Sequence, residues 1–114
     1  MDTKRSVRFT TKEKHMKIPK TFTIGKHTYK VEVHKHIPGT DSMGQVTYSK
    51  RLVQIATHNS YDRKAHPKRE VIDTFWHEVT HAILKDMGHD LESNERFVNA
   101  FADRLTDVIV SAKL

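Results

Sequence analysis

The sequence predicts an α+β fold in which a small antiparallel sheet of three to four strands precedes two helices. Apolar and polar residues alternate in short runs between residues 21 and 57, as they do in half-buried strands. After residue 67 the apolar residues recur at helical spacing instead. A chain of 114 residues can build one modest core. We therefore expect one minimal domain at residues 21–114, preceded by a separate arm at residues 1–20.

The arm at residues 1–20 carries most of the net charge. It holds seven basic and two acidic residues, a net charge of +5 out of +6 for the whole chain. Only Phe9 accompanies these charges, whereas surfaces that bind single-stranded nucleic acid usually interleave several aromatic side chains. We expect a partly disordered, solvated arm. Weak contact with nucleic acid through the arm is the alternative interpretation.

The composition excludes several classes of protein. The chain has no cysteine, which excludes disulfides and cysteine-ligated metal sites, so a metal would need His, Asp and Glu ligands. No apolar run approaches the roughly 20 residues of a membrane span, and no membrane contact is expected. The first residues lead into no apolar segment of the kind found in secretory signals. These features predict a cytoplasmic protein, which we expect to be a monomer.

Two strand pairs are predicted in the first half of the domain. The first pair spans residues 21–24 and 29–33 around a tight turn at residues 25–26. The second spans residues 44–48 and 51–57 around residues 49–50. The alternation in each pair predicts one face packed on the core and one face exposed to solvent, as in antiparallel sheets.

Two helices are predicted after Pro67, which suits a first helical turn. The first spans about residues 68–87 and ends at Gly88. Its predicted apolar stripe is Ile72, Phe75, Trp76, Val79, Ile83 and Met87. The second spans about residues 93–112 and is capped by Ser93. Its predicted apolar stripe is Phe97, Phe101, Leu105, Val108 and Ala112.

The first helix carries the pentad His77-Glu78-Val79-Thr80-His81. Histidines four residues apart lie on one helical face and can share a metal ion, and the glutamate between them can reach a water on that ion. On a helical projection, His77, Glu78 and His81 lie roughly opposite the apolar stripe. The pentad therefore predicts a site for one zinc ion, with His77 and His81 as ligands and Glu78 as a catalytic base.

Two histidines leave a catalytic zinc one protein ligand short. The downstream candidates are His89, Asp90, Glu92 and Glu95. Glu95, in the first turn of the second helix, is favoured, because a tight reversal after Gly88 would return that turn to the middle of the first helix. His89 remains the alternative. Asn99 lies one turn after Glu95 and is expected to hydrogen-bond a ligand and fix its orientation.

The pentad, Asn94-Glu95 and the segment Asn99-Ala100-Phe101-Ala102 together resemble the gluzincin pattern. With a compact sheet before two helices, residues 43–105 are similar to the small ImmA/IrrE-type metallopeptidases of bacteria and phages. The resemblance implies a zinc metallopeptidase in which His77, His81 and Glu95 bind zinc and Glu78 is the base. The longer N-terminal helical part that is usual in that family has no counterpart here.

A protein or peptide substrate is expected to bind as an extended strand along the sheet edge within residues 43–57. Metal-activated water would hydrolyse the peptide bond, and Tyr48 and His89 are candidates for supporting the oxyanion. Two alternatives stay open. The chain could be a catalytically weak or inactive metallopeptidase-fold protein that binds a protein partner, or a nucleic-acid-binding module that uses the basic arm.

Overall fold

A computed structural model describes residues 17–113, so residues 1–16 of the predicted arm and Leu114 lie outside the described residues. Four strands precede two long helices, and the α+β class is confirmed. The strands are β1 (Thr21–Ile24), β2 (His27–His34), β3 (Gly44–Thr47) and β4 (Leu52–Ala56). The helices are α1 (Lys68–Met87) and α2 (Glu95–Ser111). Neither helix is long and apolar enough to cross a membrane.

The sheet is mixed, whereas the sequence predicted an antiparallel one. Its strand order is β1-β2-β4-β3. The two hairpins, β1 with β2 and β3 with β4, are antiparallel as expected, but β2 and β4 pair in parallel. The chain crosses to the edge after β2, forms β3 there, and returns as β4 between β2 and β3. This path leaves β3 as an edge strand.

A 3-10 turn at Tyr48–Lys50 joins β3 to β4, so the strand ends one residue earlier than predicted. Arg51 closes the turn in the left-handed region at φ 48° and donates its N–H to the Tyr48 carbonyl. Tyr48 therefore leaves the sheet and belongs to the turn.

The principal core lies between α1 and the sheet. Val53 and Ile55 of β4 are fully buried beneath Phe75 of α1. The Phe22 ring stacks on Tyr29 at 5.0 Å and meets Phe75 edge-on at 5.9 Å. Burial of each such large apolar side chain contributes about 1.5–3 kcal/mol. This packing fixes the position of α1 on the sheet.

Helix α1 ends as predicted. Gly88 adopts the left-handed conformation at φ 66° and donates its N–H to the carbonyls of Leu84 and Lys85. The predicted apolar stripe was wrong at its C-terminal end, because Ile83 is 38% exposed and Met87 is 63% exposed. The outer face of the last two turns of α1 is therefore exposed, although Asp86 there still lies 3.6 Å from His27 of β2.

Helix α2 packs on α1 through a different face from the predicted one. Its buried residues are Val98, Ala102, Thr106 and Val110. Phe101 and Val108, predicted to be core, are 46% and 58% exposed. Small side chains allow the two helices to approach closely, and the larger phenylalanines lie at the side of the contact. Asn94, and not Ser93, caps the helix by accepting the Phe97 N–H at 3.0 Å.

Candidate metal centre

The pentad lies in the middle of α1, where the sheet and α2 hold the helix on two sides. His77 and His81 are one turn apart, with ring centroids 4.9 Å from each other. The His77 ring is half-buried and His81 is buried. The helix therefore presents two imidazoles side by side, as the spacing predicts.

A connection of seven residues, 88–94, returns the chain to this pair. After Gly88 reverses direction, His89 donates its N–H to the Leu84 carbonyl at 2.9 Å. A 3-10 turn at Asp90–Ser93 follows, and Asn94 starts α2. The first turn of α2 thus lies beside the middle of α1, as the argument for Glu95 required.

Glu95 bridges the two histidines with its carboxylate. Its Oε1 lies 3.0 Å from His77 Nε2, and its Oε2 lies 2.8 Å from His81 Nε2. One ligand atom from each of the three residues lies within 4.8 Å of the others, so the group could hold a metal ion. His89, the alternative third ligand, is not a member of this group.

The donor set fits zinc. Two imidazole nitrogens and one carboxylate oxygen are a known ligand set of catalytic zinc, which keeps a fourth position open. Among residues 17–113 no other group of three such side chains is close enough to share an ion.

The protein fixes the orientation of His81. Its Nδ1 donates to the main-chain carbonyl of Glu92 at 2.7 Å, which leaves Nε2 directed at Glu95. A ring held through one nitrogen in this way presents the lone pair of the other nitrogen to a metal. Burial lowers the pKa of His77, against the opposing effect of the Glu95 carboxylate, and so favours the neutral imidazole that binds metals.

Glu78 is the most unusual group of the site. It is only 7% exposed, and its carboxylate forms no hydrogen bond or ion pair with any residue between 17 and 113. Burial raises its pKa to about 7, with His81 lowering it and Glu95 raising it further. A carboxyl group with this pKa can both accept and release a proton near neutral pH.

Gly44 is a site residue that the sequence reasoning missed, since it was read only as the start of a strand. It opens the edge strand β3 directly over α1. A Cβ atom at this position would lie 3.0 Å from Glu78 Oε2 and 2.6 Å from Thr74 Cγ2. Only glycine leaves room for this close approach of strand and glutamate. The available signal was a glycine at the start of a short strand in a chain with only four glycines.

The hydroxyl group of Thr106, buried between the two helices, links them close to the site. Thr106 Oγ1 on α2 donates to Asp73 Oδ1 on α1 at 2.9 Å and lies 2.8 Å from the Ala102 carbonyl. Asp73 is one turn before His77. This link sets the position of α2, and therefore of Glu95, relative to the histidines.

The remaining predicted site residues have different surroundings. The Tyr48 hydroxyl donates to Glu92 Oε2 at 2.7 Å, at the margin of the site. His89 is exposed, and its Nδ1 accepts the Leu91 N–H at 3.1 Å. Asn99 is exposed, and its side chain makes no hydrogen bond to the other residues of the described range. The oxyanion role of Tyr48 and His89 and the orienting role of Asn99 stay predictions.

The chain was compared with protein-family models, curated proteins and solved structures, and nothing matches it in any of the three. A function therefore has to be inferred from the residues of the metal centre themselves.

Proposed function

We propose that the chain is a zinc-dependent metallopeptidase, in which His77, His81 and Glu95 hold one zinc ion and Glu78 is the general base. The observation that carries the proposal is the carboxylate of Glu78, which is buried and unpaired beside a group of three metal-binding side chains. Burying a charge without a partner costs stability, and such groups concentrate at functional sites.

A purely structural role explains the cluster less well. The Glu95 side chain is 62% exposed, and ion pairs with exposed partners add little stability. Such pairs also give no reason for Glu78 to be buried next to them. A structural zinc site would be closed by four protein ligands, whereas three ligands leave a position for water or substrate. The three-ligand group is therefore better suited to catalysis than to stabilisation.

When bound, zinc supplies a water of lowered pKa and polarises a carbonyl group. Glu78 accepts a proton from the attacking water and delivers it to the leaving amine, so the carboxylate is regenerated in each cycle. His81 keeps its orientation throughout, because its Nδ1–H stays bonded to the Glu92 carbonyl. Burial of Glu78 keeps bulk water away from the proton that it carries.

The position of β3 supports a peptide substrate. This strand pairs with β4 on one side only, and in the described part of the chain no strand pairs with its other side. Its first residue, Gly44, lies against Glu78. An extended peptide that adds to this edge would run past the base with its carbonyl groups spaced as in a β-ladder.

Zinc content and peptide cleavage test the proposal together. The wild-type chain should hold about one zinc ion, which His81→Ala and Glu95→Ala should lose, because each removes one of three ligands. His89→Ala is the matched control and should keep the zinc. Glu78→Gln should keep the zinc and lose turnover of a peptide library.

Two results would contradict the assignment. Zinc retention in Glu95→Ala would exclude Glu95 as the third ligand. Peptide cleavage at the wild-type rate in Glu78→Gln would exclude Glu78 as the base.

A role in binding a protein partner without catalysis is the second candidate. Exposed apolar side chains at Ile83, Met87 and Phe101 favour it, since they line one surface groove and clustered residues of this kind mark interaction surfaces. A binding role does not need Glu78. Retained biological activity in Glu78→Gln would therefore favour this candidate over the enzyme.

A further inference from the structure

Two short turns from distant parts of the sequence meet beside the metal centre. Tyr48 belongs to the turn after β3, and Glu92 belongs to the turn between the helices. The Tyr48 hydroxyl donates to Glu92 Oε2 at 2.7 Å across 44 residues of sequence. This partly buried hydrogen bond ties the sheet end of the molecule to the connection between α1 and α2.

Glu92 uses a different group to hold His81. Its main-chain carbonyl accepts the His81 Nδ1–H at 2.7 Å, and its side-chain Oε2 lies farther away, at 3.8 Å from the same nitrogen. The side chain of Glu92 is therefore anchored to Tyr48 while its main chain orients the ligand. Movement of the 3-10 turn at Asp90–Ser93 would carry that carbonyl away from His81.

We propose that Tyr48 is a positioning residue for the metal centre, which acts through Glu92 to hold His81 Nε2 towards the metal position. This inference rests on the proposed zinc site, and it assigns Tyr48 a function other than contact with the reacting carbonyl. Partners that orient a metal-binding histidine typically contribute a factor of about 10–100 to metal affinity.

The surroundings of Tyr48 suit a permanent donor. Burial, together with the Glu92 carboxylate, raises the pKa of Tyr48 above its usual value, so the hydroxyl keeps its proton at neutral pH. Lys85 Nζ lies 5.3 Å from the centre of the ring and restrains the ring from another side. The hydroxyl is thus both protonated and held in place.

Zinc affinity, measured by competition with a chromogenic chelator, tests the inference. Tyr48→Phe removes only the hydroxyl and should weaken zinc binding about tenfold at unchanged stoichiometry. Tyr61→Phe is the matched control, because Tyr61 is 88% exposed, and it should bind zinc as the wild type does. Glu92→Gln keeps an acceptor oxygen for Tyr48 and should stay within about twofold of the wild type.

Cobalt(II) substitution gives a readout that a merely structural role would not change. The visible absorption of the bound ion reports ligand geometry, and it should differ between Tyr48→Phe and the wild type but not between Tyr61→Phe and the wild type. If Tyr48→Phe does not fold, Glu92→Ala replaces it, since that variant loses the anchored side chain but keeps the main-chain carbonyl. Its zinc affinity should fall by the same factor.

The outcomes separate this inference from the proposed function. Wild-type zinc affinity and an unchanged cobalt spectrum in Tyr48→Phe would overturn the positioning role and leave the zinc site intact. A wild-type chain that binds no zinc would overturn both. A chain that binds zinc without cleaving peptides would overturn only the peptidase, because the affinity measurement does not depend on turnover.

Discussion

Gly44 leaves just enough space for Glu78: a Cβ atom on Gly44 would lie 3.0 Å from Glu78 Oε2 and 3.2 Å from Glu78 Cγ. The start of the edge strand therefore lies directly against the buried carboxylate of Glu78. This contact links the position of Glu78, the proposed base, to the strand along which a peptide substrate is proposed to bind. Any side chain at position 44 has to displace the strand, the glutamate or Thr74.

Gly44→Ala should lower peptide turnover at least tenfold while zinc content stays the same. The added methyl group would push Glu78 from its position, and a displacement of about 1 Å can reduce a catalysed rate about 100-fold. The ligands lie on α1 and α2 and are not touched by the new atom. Turnover per zinc-loaded molecule is the quantity to measure.

Two further variants distinguish displacement of the Glu78 side chain from a general loss of stability. Thr74→Ser in the Gly44→Ala background removes the Cγ2 atom of the closest contact, so stability should recover while turnover stays low. Gly25→Ala places a methyl group in open space at φ 57° and costs about 1 kcal/mol of backbone strain. It should keep full turnover per folded molecule, and a loss as large as that of Gly44→Ala would contradict the interpretation.

Glu78 should make the zinc-free protein less stable as the pH rises. Its pKa is about 7 in the folded protein against 4.5 for an ordinary glutamate, so the folded state binds more protons between these values. The free energy of unfolding should therefore fall by about 3 kcal/mol from pH 4.5 to pH 7, at about 1.36 kcal/mol per pKa unit.

The Glu78→Gln variant isolates this effect from all other titrating groups. Its denaturant unfolding curves should match the wild type near pH 4 and show higher stability at pH 8. Glu70→Gln, at an exposed position in the first turn of the same helix, is the control and should show no such divergence. Parallel pH profiles of the wild type and Glu78→Gln would argue against a buried, unpaired carboxylate.

Zinc should raise the melting temperature of the wild type, and a chelator should reverse the change. A ligand at 100 times its dissociation constant stabilises the folded state by about 2.7 kcal/mol, which corresponds to about 10 °C or more for a domain of this size. His81→Ala should show no shift with zinc, and His89→Ala should shift as the wild type does. An equal shift in His81→Ala would mean that zinc binds elsewhere.

Thr106→Val should destabilise the domain by about 1–3 kcal/mol, because it keeps the shape of the side chain but leaves Asp73 without its hydrogen bond. Since this link sets the spacing of α1 and α2, zinc affinity should fall as well. Thr23→Val, at an exposed position of β1, is the control and should change the free energy of unfolding by less than about 0.5 kcal/mol. Equal effects of the two substitutions would contradict the role of Thr106.

Truncation of Val98 should cost more stability than truncation of Phe101. Val98 is fully buried between the helices, so Val98→Ala should lower the free energy of unfolding by about 2 kcal/mol. Phe101→Ala should cost less than about 1 kcal/mol, although it removes more atoms, because half of the ring is already exposed. The reverse order in thermal or denaturant unfolding would favour the apolar stripe that the sequence predicted.

The helices and strands were predictable because their signals are local. Alternation located the strands to within one or two residues, and Gly88 marked the end of α1. The parallel pairing of β2 with β4 was not predictable from these signals. Alternation shows which face of a strand is apolar, but it does not show which strand lies next to it.

The face of α2 was mispredicted for a physical reason. Periodicity gives weight to the largest apolar side chains, and so it selected Phe97 and Phe101. The residues buried against α1 are instead smaller ones, including Ala102 and Thr106, while Phe97 and Phe101 line a groove at the side of the contact. The grouping of His77, His81 and Glu95 was predictable from the pentad and the spacing to Glu95. Gly44 and the link from Tyr48 to Glu92 were not, since both depend on contacts between distant segments.

The seven residues between α1 and α2 limit how this sequence can diverge in evolution. They bring Glu95 within 3.0 Å of both histidine nitrogens. One inserted residue would add up to about 3.8 Å of chain, whereas ligand distances at a metal hold to within about 0.2 Å. Gly88, Glu92 and Asn94 hold the ends and the turn of this segment. Its other side chains can be exchanged without moving Glu95, but the number of residues cannot change. Among diverged sequences with this site, the segment should therefore vary at its remaining positions, while insertions and deletions are confined to other loops.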